Sequence, residues 1–337
     1  MKNALFLVLL LAGVLALLGQ PIVRGDGQFL AHGLLSSVPV PADNPQADAK
    51  TRLGQQLYFD TRLSADNTIS CATCHDPKTG WANHNPTDTG IKGQVGGRNS
   101  GTIVNAAHMR FQFWDGRAGS LEEQALGPIH NPIEMGETLE NVVRKLNAIP
   151  GYRAQFQQVF GQEATEDGIG KAIAAFERTV ISGPSPYDRY VMGDKKAMGA
   201  SAIRGLRLFK GKAHCTPCHS GPSFSDDGFH NLGVGYKSGK FADVGRFAVT
   251  KKPEHMGAFK TPGLRNVALT HPYLHDGSEK TMEAVIDLYD RGGIDNPHLD
   301  GLMLPLNLTR REKADLVAFL EALTGELPDI KEPTLPE

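Results

Sequence analysis

The sequence has 337 residues, with 35 basic and 37 acidic side chains, which gives a formal net charge of −2 at pH 7. At roughly 150 residues per domain, this length suggests about two domains. Hydrophobic residues make up 40% and charged residues 21%, which excludes an intrinsically disordered chain. The balanced charge excludes a strongly basic nucleic-acid surface as the main binding feature. Because only 7% of residues are aromatic while there are 38 glycines and 21 prolines, we expect many loops and a core that does not depend on aromatic side chains alone.

The first twenty residues are typical of a secretory signal peptide or an N-terminal anchor. A short cationic start is followed by an almost unbroken apolar run from Ala4 to Leu18. This run of about 15 residues is shorter than the roughly 20 residues that a spanning helix needs. No clear small-residue cleavage site follows, so an uncleaved anchor stays open, and a buried core helix is the weaker alternative. We expect an exported chain in which residues 21–48 form a loose tether.

Apolar residues at helical spacing predict that the rest of the chain is mostly α-helical. The predicted helices span residues 47–59, 138–146, 152–160, 167–181, 200–209 and 310–323. Ser120 with Glu123 three positions later is typical of a capping box, and Thr281 is expected to cap a further helix. Residues 221–263 are rich in turn formers and predict a long loop, whereas residues 328–337 predict a frayed tail. No alternation of apolar and polar residues predicts a substantial strand.

All four cysteines lie in two Cys-x-x-Cys-His motifs. The motif residues are Cys71, Cys74 and His75 in the first half of the chain and Cys215, Cys218 and His219 in the second. This pattern is the attachment signature of c-type haem, because two thiols one helical turn apart reach both vinyl groups of a porphyrin and the adjacent histidine binds the iron. A four-cysteine zinc site or two disulfides would need no histidine after each pair, and a redox Cys-x-x-Cys normally occurs once. We expect two covalent haems, the second covered by the loop over residues 221–263.

Two segments of the chain align with each other without gaps. Residues 105–122 match residues 266–283 at an offset of 161, with Asn, Asp-Gly and Glu at corresponding positions. The two cysteine motifs are offset by 144 residues, and each follows a similar predicted helix end. The simplest account is an internal duplication that gives two cytochrome-c-like domains, each built around one haem. We expect the first haem domain over residues 49–195 and the second over residues 196–327.

The sixth coordination position of each iron decides its chemistry, since a simple carrier has both axial positions filled and a peroxidase needs one open. The helix after Thr281 is expected to turn one face towards the second haem. The residues of that face are Met282, Val285, Ile286 and Tyr289. Both Met282 and Tyr289 could bind the second iron, and a buried core aromatic is the alternative role for Tyr289.

The position 161 residues before Tyr289 is Pro128, which has no ligating side-chain atom. If Tyr289 closes the second haem, the first haem has lost its ligand at the equivalent place. Three side chains near Pro128 are candidates for chemistry at an open first haem: Trp114, Gln124 and Glu134. A carboxylate can move a proton between the two oxygens of peroxide, an amide can orient peroxide, and a tryptophan between haems can relay oxidation. The alternatives are a solvated glutamate, a surface glutamine and a core tryptophan.

The sequence resembles the bacterial di-haem cytochrome c peroxidase superfamily over nearly all of the chain after the N-terminal segment. The resemblance is carried by both cysteine motifs and by residues 113–118, 127–128, 134–135, 186–190, 245–250 and 264–270. It implies that Trp114 lies between the haems, that Gln124 and Glu134 form the peroxide pocket, that hydrogen peroxide is the substrate, and that the protein resides in the bacterial periplasm.

The same resemblance implies a calcium ion between the two domains. The matching positions are Asn99, Thr270 and Pro272. Calcium fits these positions chemically, because an amide oxygen, backbone carbonyls and waters are the hard ligands that it prefers.

Two departures from the superfamily pattern indicate its MauG-like branch. Ordinary members have methionine at the position of Tyr289, and a switchable histidine ligand of the first haem at the position of Ile91. The branch resemblance implies that one peroxide leaves both irons at the Fe(IV) level, with charge shared through Trp114, and an anionic phenolate favours high-valent iron. The branch's named member oxidises a protein through a surface tryptophan two residues before the second motif. This chain has Ala213 there, so tryptophan tryptophylquinone maturation is not expected.

Three functions stay open from the sequence. The first is a peroxide-activating di-haem enzyme with a histidine-only first haem and a His/Tyr second haem, which oxidises an unidentified protein or small electron donor. The second is a conventional cytochrome c peroxidase with Met282 on the second iron and electrons from cytochrome c or a copper protein. The third is a di-haem electron carrier. His84 and His108 remain candidates for occasional ligation of the first haem; a nucleic-acid partner is not expected, and a weak membrane tether stays open.

Overall fold

The computed structural model describes residue 35 and residues 37–337. The predicted signal or anchor over residues 1–20 and most of the predicted tether lie outside the described residues. Within the described part of the chain, no helix is long and apolar enough to cross a membrane.

Helices dominate the described chain, as the periodicity predicts. The first half contains α1 (Asp48–Phe59), α2 (Cys71–Cys74), α3 (Leu121–His130), α4 (Leu139–Ala148), α5 (Pro150–Phe160) and α6 (Glu166–Glu177). The second half contains α7 (Pro186–Val191), α8 (Ala200–Lys210), α9 (Phe247–Thr250), α10 (Met282–Asp290) and α11 (Arg310–Glu321). Short 3-10 turns connect them at Thr61–Leu63, Pro77–Thr79, Ile91–Gly93, Ala106–His108, Pro253–His255 and Val267–Leu269.

The predicted loop over residues 221–263 contains two small antiparallel sheets in addition to α9. Strand β1 (Phe229–His230) pairs with β4 (Phe259–Lys260), and β2 (Tyr236–Lys237) pairs with β3 (Lys240–Phe241). Each strand has two residues, which is too short to show the apolar alternation by which strands are recognised in a sequence.

Some helix ends differ from the sequence prediction. Helix α6 ends at Glu177 instead of continuing to residue 181, because the β-branched residues 179–181 leave the helix and the Val180 carbonyl accepts the Asn105 N–H at 2.9 Å. Helix α5 begins at Pro150, where proline suits the first helical turn. The unpredicted α7 begins with a capping box between Ser185 and Asp188.

The two predicted helix caps have different outcomes. Thr281 caps α10 by accepting the Ala284 N–H at 3.2 Å, so that prediction is confirmed. Ser120 accepts the Glu123 N–H at 3.1 Å, as predicted. A full capping box also needs the Glu123 carboxylate to accept the Ser120 N–H, and this part of the prediction is wrong. The Glu123 carboxylate accepts the Gly119 N–H at 2.8 Å instead.

The buried hydrophobic side chains form two clusters, one from residues 53–180 and one from residues 187–323. In the first, α1 crosses α6 at Gly54, where an added Cβ would lie 1.8 Å from the Ala172 carbonyl oxygen. In the second, α8 crosses α11 at Gly205, where an added Cβ would lie 1.9 Å from the Asp315 carbonyl oxygen. Each half is therefore built on a helix crossing whose close approach requires glycine.

The C-terminal tail is ordered against the first half of the molecule, so the prediction of a frayed tail is wrong. Leu327 and Ile330 pack against the first hydrophobic cluster. Side chains of the first half donate hydrogen bonds of 2.7–3.0 Å to tail carbonyls, in the pairs Gln55–Lys331, Gln56–Thr334 and Arg62–Pro336. The tail has no helical periodicity, and its order comes from these long-range contacts.

Corresponding backbone conformations recur at the offset of 161. Asn105 and Asn266 both have positive φ, 62° and 61°, and Gly116 and Gly277 have φ of 64° and 63°. Between the halves, the Asn99 N–H donates to the His275 carbonyl oxygen and the Lys260 N–H donates to the Trp114 carbonyl oxygen, each at 2.7 Å. Because 99 and 260 are also 161 apart, as are 114 and 275, the two halves exchange equivalent hydrogen bonds across their interface.

Candidate functional site

One cavity of about 880 Å³ extends over both halves of the chain. Both cysteine motifs line it with all their predicted attachment residues, namely Cys71, Cys74, His75, Cys215, Cys218 and His219. The other predicted site residues also belong to the lining: Asn99, Trp114, Gln124, Pro128, Glu134, Thr270, Pro272 and Tyr289. The fold therefore brings together every site residue selected from the sequence, from positions spread over about 220 residues.

In the first motif, a single helical turn sets the spacing of the two thiols. Ser70 and Thr73 form a capping box at the start of α2, and the His75 N–H closes the turn by donating to the Cys71 carbonyl oxygen at 3.0 Å. The Tyr58 hydroxyl donates to the His75 carbonyl oxygen at 3.1 Å. Among the described residues, the buried His75 Nδ1 has no hydrogen-bond partner, and burial lowers the pKa of this imidazole. A neutral imidazole is the form that binds metals.

The second motif is held without a helix. The His219 N–H donates to the Cys215 carbonyl oxygen at 2.9 Å, and His219 Nδ1 lies 2.9 Å from the Phe224 carbonyl oxygen. A proton on Nδ1 donates to that oxygen and leaves Nε2 as the nitrogen that can bind iron, which is the usual arrangement for a ligating histidine.

The donor set fits covalent haem. The four cysteines, all within the described part of the chain, are free thiols, and burial raises the pKa of Cys71 and of Cys215 to about 12. Such thiols are neutral at pH 7. A histidine follows each pair, and the cavity beside them is large and mostly apolar in its lining.

In the second half, α10 presents its predicted face to the cavity. All four residues of that face contribute to the lining: Met282, Val285, Ile286 and Tyr289. Burial, together with the nearby Cys215 and Cys218 thiols, raises the pKa of Tyr289 well above its ordinary value. Tyr289 thus lines the same cavity as the Cys215 and Cys218 thiols.

In the first half, α3 turns the equivalent face to the cavity with Leu121, Gln124, Ala125 and Pro128. Within the last turn of α3, the Pro128 carbonyl oxygen accepts the Met135 N–H at 3.2 Å. This hydrogen bond folds the turn that follows the helix back over the site. That turn carries Glu134, whose Oε1 accepts the Asn131 Nδ2–H at 2.8 Å. Burial raises the pKa of Glu134, although Arg117 and Asn131 oppose the effect.

Trp114 lies where the two halves meet. Its indole Nε1–H donates to the Asn99 carbonyl oxygen at 2.9 Å, and its ring meets that of His275 edge to face, with the centroids 6.5 Å apart. The His275 ring in turn stacks on Phe259 at 3.6 Å.

The predicted calcium residues also lie at this junction. The Asn99 side-chain N–H donates to the Asn85 carbonyl oxygen at 3.0 Å. Because the amide nitrogen is used in this hydrogen bond, the amide oxygen remains as an acceptor. Thr270 and Pro272 lie on the opposite half, and the His271–Pro272 peptide bond is cis.

Two further histidines, His84 and His108, are the candidates for occasional ligation of the first haem. Neither His84 nor His108 contributes to the lining formed by the described residues. The His84 ring instead packs against His271, with the centroids 4.1 Å apart. Ile91 is buried, and its N–H donates to the Glu134 carbonyl oxygen at 2.8 Å.

Several polar residues of the site were not predicted from the sequence. Glu177 ends α6 and lines the cavity, and its Oε2 is buried without a hydrogen-bond partner among the described residues. Lys260 and Asp88 also line the cavity, as do Arg98, Asp115 and Asp243, which form one ion-pair cluster. Sequence spacing gives no signal for the pairing of Arg98 with Asp243, because the two residues are 145 positions apart.

Comparison with known proteins now identifies the class. The family model described as di-haem cytochrome c peroxidase matches residues 48–196. The chain is 43% identical over 302 residues to the methylamine utilization protein MauG of Methylorubrum extorquens, covering 89% of this chain and 85% of that protein. It is 36% identical over 338 residues to the cytochrome c551 peroxidase of Pseudomonas aeruginosa, covering 97% and 94% of the two chains.

A solved structure agrees with these sequence relatives. The crystal structure of a MauG-like protein associated with microbial copper homeostasis superimposes with a TM-score of 0.79 at 34% identity, covering 87% of this chain and 95% of that chain. The chain belongs to the di-haem cytochrome c peroxidase family, and it is an oxidoreductase that uses peroxide. Family membership implies two c-type haems.

Proposed function

We propose that the protein activates hydrogen peroxide at a first haem held only by His75 and stores oxidising equivalents at a second haem held by His219 and Tyr289. The observation that carries this proposal is the asymmetry of α3 and α10. At the same helical position, α10 turns a tyrosine hydroxyl into the cavity and α3 turns in the aliphatic ring of Pro128. The bound haems would supply redox-active iron, open to peroxide in the first half and closed in the second.

Each residue around the first haem has a distinct task in this proposal. The Glu134 carboxylate takes a proton from the inner oxygen of peroxide and returns it to the outer one, and Asn131 holds its Oε1 in place at 2.8 Å. The Gln124 amide orients peroxide from the face of α3. Pro128 keeps that face free of a competing ligand. Trp114 relays oxidation between the halves while Asn99 holds its indole N–H.

We further propose that the two haem domains, over residues 49–195 and 196–327, descend from an internal duplication. The paired positive-φ residues at the offset of 161 support it, as do the glycine-dependent helix crossings at Gly54 and Gly205. Isolated β-bridges also recur at this offset, in the pairs Gln112–Ala118 and Tyr273–Glu279.

A calcium ion between the halves remains part of the proposal. Asn99 and Thr270 come from different halves and both line the cavity. Calcium there would join the segment that accepts the Trp114 indole N–H to the second half, using oxygen ligands only. Chelation should therefore loosen the junction without removing either haem.

The physiological partner is an electron donor, either a protein or a small molecule. Ala213 lines the cavity as a buried methyl group and offers no oxidisable surface ring, so the proposal excludes tryptophan tryptophylquinone maturation by that route. Family membership supports an exported, periplasmic protein. A nucleic-acid partner is not proposed, and the weak membrane tether rests on the N-terminal segment alone.

A conventional cytochrome c peroxidase is the second candidate, and Met282 favours it. Met282 lies seven residues, about two turns of α10, before Tyr289 and also lines the cavity, so a thioether could bind the second iron. That enzyme would reduce peroxide with electrons from cytochrome c or a copper protein. A plain di-haem electron carrier would have both irons closed and would bind cyanide or carbon monoxide weakly.

The decisive experiment mixes the fully ferric protein with one equivalent of hydrogen peroxide and follows optical and Mössbauer spectra. We expect both iron sites to leave the ferric state without prior reduction, because Ile91 offers no imidazole to block the first iron. A requirement for a reduced second haem would contradict the proposal and favour the conventional peroxidase.

Substitution of the proposed phenolate ligand tests the second site directly. Tyr289→Phe should change the low-spin haem spectrum, because the ring remains but the ligand oxygen is lost. Tyr273→Phe is the matched control, since Tyr273 lines the same cavity in the same half. An unchanged spectrum in Tyr289→Phe, or loss of a near-infrared methionine charge-transfer band in Met282→Leu, would show that the ligand assignment is wrong.

A further inference from the structure

Trp114 is held by one dipeptide of its own half. Asn99 accepts the indole Nε1–H at its carbonyl oxygen, 2.9 Å away. The preceding residue, Arg98, extends its guanidinium to Asp115, which directly follows the tryptophan, with Nη1 donating to Oδ2 at 2.7 Å. Arg98 and Asn99 therefore hold both the side chain of Trp114 and the residue after it.

The same guanidinium reaches the second half of the molecule. Arg98 Nε donates to Asp243 Oδ2 at 2.6 Å and Nη2 donates to Asp243 Oδ1 at 3.0 Å. This is a bidentate, charge-assisted pair, the strongest geometry available to arginine. The Asn99 N–H adds a hydrogen bond of 2.7 Å to the His275 carbonyl oxygen. The segment that fixes Trp114 is thus itself fixed to the opposite half.

The three charges are largely withdrawn from solvent, so the pairing is not an ordinary surface ion pair. The side chains of Arg98, Asp115 and Asp243 are 23%, 7% and 24% exposed. Burial by itself raises the pKa of Asp243, but the hydrogen bonds from Arg98 and from the Gly245 N–H outweigh it and hold the pKa below its usual value. Without Arg98, two carboxylates would face each other at a partly buried junction, an arrangement that costs more than the loss of an exposed pair.

The internal symmetry shows what is particular to the first half. At the offset of 161, Asn99 corresponds to Lys260 and Trp114 to His275, and the two pairs exchange backbone hydrogen bonds of 2.7 Å across the interface. Arg98 corresponds to Phe259, which stacks on His275 at 3.6 Å. In the second half, the His275 ring is thus held by stacking. In the first half, Trp114 is held through Arg98 and its two carboxylate partners.

We propose that Arg98 is a positioning residue that fixes Trp114 between the two haem sites and thereby sets the rate of electron transfer between the two halves. The inference rests on the proposed function, in which hydrogen peroxide is the oxidant. With both haems bound, one electron would pass from the second site through Trp114 to the oxidised first site, so the second site would be oxidised and the first reduced by one electron. The indole proton stays on Nε1, held by the Asn99 carbonyl oxygen.

The test measures electron transfer between the haems in half-reduced protein by flash photolysis, and separately measures the bimolecular rate of peroxide reaction. Arg98→Gln should slow electron transfer about tenfold or more, because small displacements of a relay group have large kinetic effects, and should leave the peroxide rate nearly unchanged. Arg98→Lys should recover part of the loss. Arg204→Gln is the matched control, because it removes a similar pair, with Asp315 at 2.6 and 2.8 Å, that lies between α8 and α11.

A double-mutant cycle separates positioning from a general structural effect. In a Trp114→Phe background, Arg98→Gln should have almost no further effect on electron transfer, since residues that act through one another are not additive. An Arg98→Gln effect of full size in that background would overturn the proposal, and so would parental electron transfer in Arg98→Gln itself. If Trp114→Phe alone leaves electron transfer unchanged, the relay in the proposed function fails; if only Arg98→Gln is silent, the relay stands and the positioning role fails.

Hydrogen exchange gives a readout that does not depend on the haem reaction. Arg98→Gln should accelerate exchange at the Asn99 and Lys260 amides, which donate across the interface, and parental exchange there would contradict the proposal. If Arg98→Gln does not fold, Asp243→Asn replaces it. That variant keeps the Arg98–Asp115 pair and should slow electron transfer less than tenfold but measurably; the parental rate in Asp243→Asn would overturn the role of the junction.

Discussion

The carboxyl group of Glu134 is the most informative single group at the proposed first haem site. Its backbone carbonyl accepts the Ile91 N–H and its side chain accepts the Asn131 amide, so both the segment and the carboxylate are fixed. Burial raises the pKa of Glu134 above its ordinary value, against the effect of Arg117. A general base must be deprotonated to accept the peroxide proton, so a raised pKa moves the acidic limit of the reaction towards neutral pH.

Glu134→Gln should slow the reaction of the ferric protein with peroxide by about 10²–10⁴-fold, since a neutral amide cannot act as the base. In the parent, the rate should fall as pH decreases through the raised pKa of Glu134, and this acidic limb should disappear in the variant. Stopped-flow mixing across a pH series measures both effects. Glu123→Gln, on the exposed side of α3, is the control, and equal rates in Glu134→Gln and the parent would remove Glu134 from the mechanism.

The buried carboxyl group of Glu177 makes the folding stability depend on pH. Burial raises the pKa of Glu177 to about 8, although Arg178 opposes the shift, and Oε2 lacks a partner among the described residues. The folded state therefore favours the protonated acid, whereas the unfolded chain ionises near pH 4.3. Between these pH values the folded state binds more protons, so this residue makes stability decrease as pH rises.

Glu177→Gln should stabilise the protein by roughly 2–4 kcal/mol at pH 8, because the amide is neutral in both states whereas the carboxylate must take up a proton on folding, and about 1.4 kcal/mol corresponds to each pKa unit. The gain should shrink severalfold at pH 5. Denaturant unfolding followed by circular dichroism at the two pH values measures it. Glu321→Gln is the matched control, since Glu321 ends α11 at the offset of 144 and is exposed; a gain independent of pH would contradict the explanation.

At the scale of secondary-structure elements, the two glycine-dependent helix crossings determine how each half is built. Gly54 and Gly205 sit in α1 and α8, where glycine is unfavourable for the helix itself. Their role is tertiary, because an added Cβ would lie within 2 Å of a carbonyl oxygen of the partner helix. Backbone atoms cannot yield as a flexible side chain could, so the crossing helices would have to move apart.

Gly54→Ala and Gly205→Ala should each destabilise the protein by about 3 kcal/mol or more, because overpacking against backbone forces the helices apart. Unfolding midpoints in denaturant measure the effect. Gly301→Ala is the control, since Gly301 is exposed and no atom lies within 4 Å of its added Cβ, and we expect it to change stability by about 0.5 kcal/mol or less. Tolerance of alanine at Gly54 would show that the close approach is not required.

Helical periodicity predicts some features of the secondary-structure elements and not others. It predicts α1, α8 and α11 to within a few residues, and it predicts that Tyr289 shares a face with Met282, because both follow from local spacing. It does not predict the end of α6, since the Val180 carbonyl is taken by Asn105, more than 70 residues away. Nor does it predict that Glu123 bonds Gly119 instead of Ser120, which depends on the path of the incoming chain.

At the scale of the whole molecule, the tail couples the two ends of the described chain. It leaves the second half after α11 and lies along α1 and α5 of the first, where Gly151 donates to the Glu337 carbonyl oxygen at 3.0 Å. The hydrogen bonds come from side chains on α1 and beside it. Stability of the first half therefore depends on residues that follow the second half in sequence.

Removal of residues 328–337 should accelerate amide exchange in α1 and α5 and leave α8 and α11 nearly unchanged, because the tail contacts only the first of these helix pairs. The expected loss in melting temperature is on the order of 5 °C. Asp329→Asn is the control, since the Asp329–Lys331 ion pair is about 80% exposed on both sides and contributes little. Uniform loss of protection in all four helices would contradict the assignment of the tail to the first half.

The sequence by itself determined the class of chemistry. Two Cys-x-x-Cys-His motifs, the cap at Thr281 and the face that carries Tyr289 are local patterns, and local geometry fixes what they form. Tertiary structure alone decided that Glu177 is buried, that the tail is ordered and that Arg98 joins Asp115 to Asp243. Those outcomes depend on segments as much as 278 residues apart in the chain, and no local spacing encodes a partner whose approach is set by the packing of two separate cores.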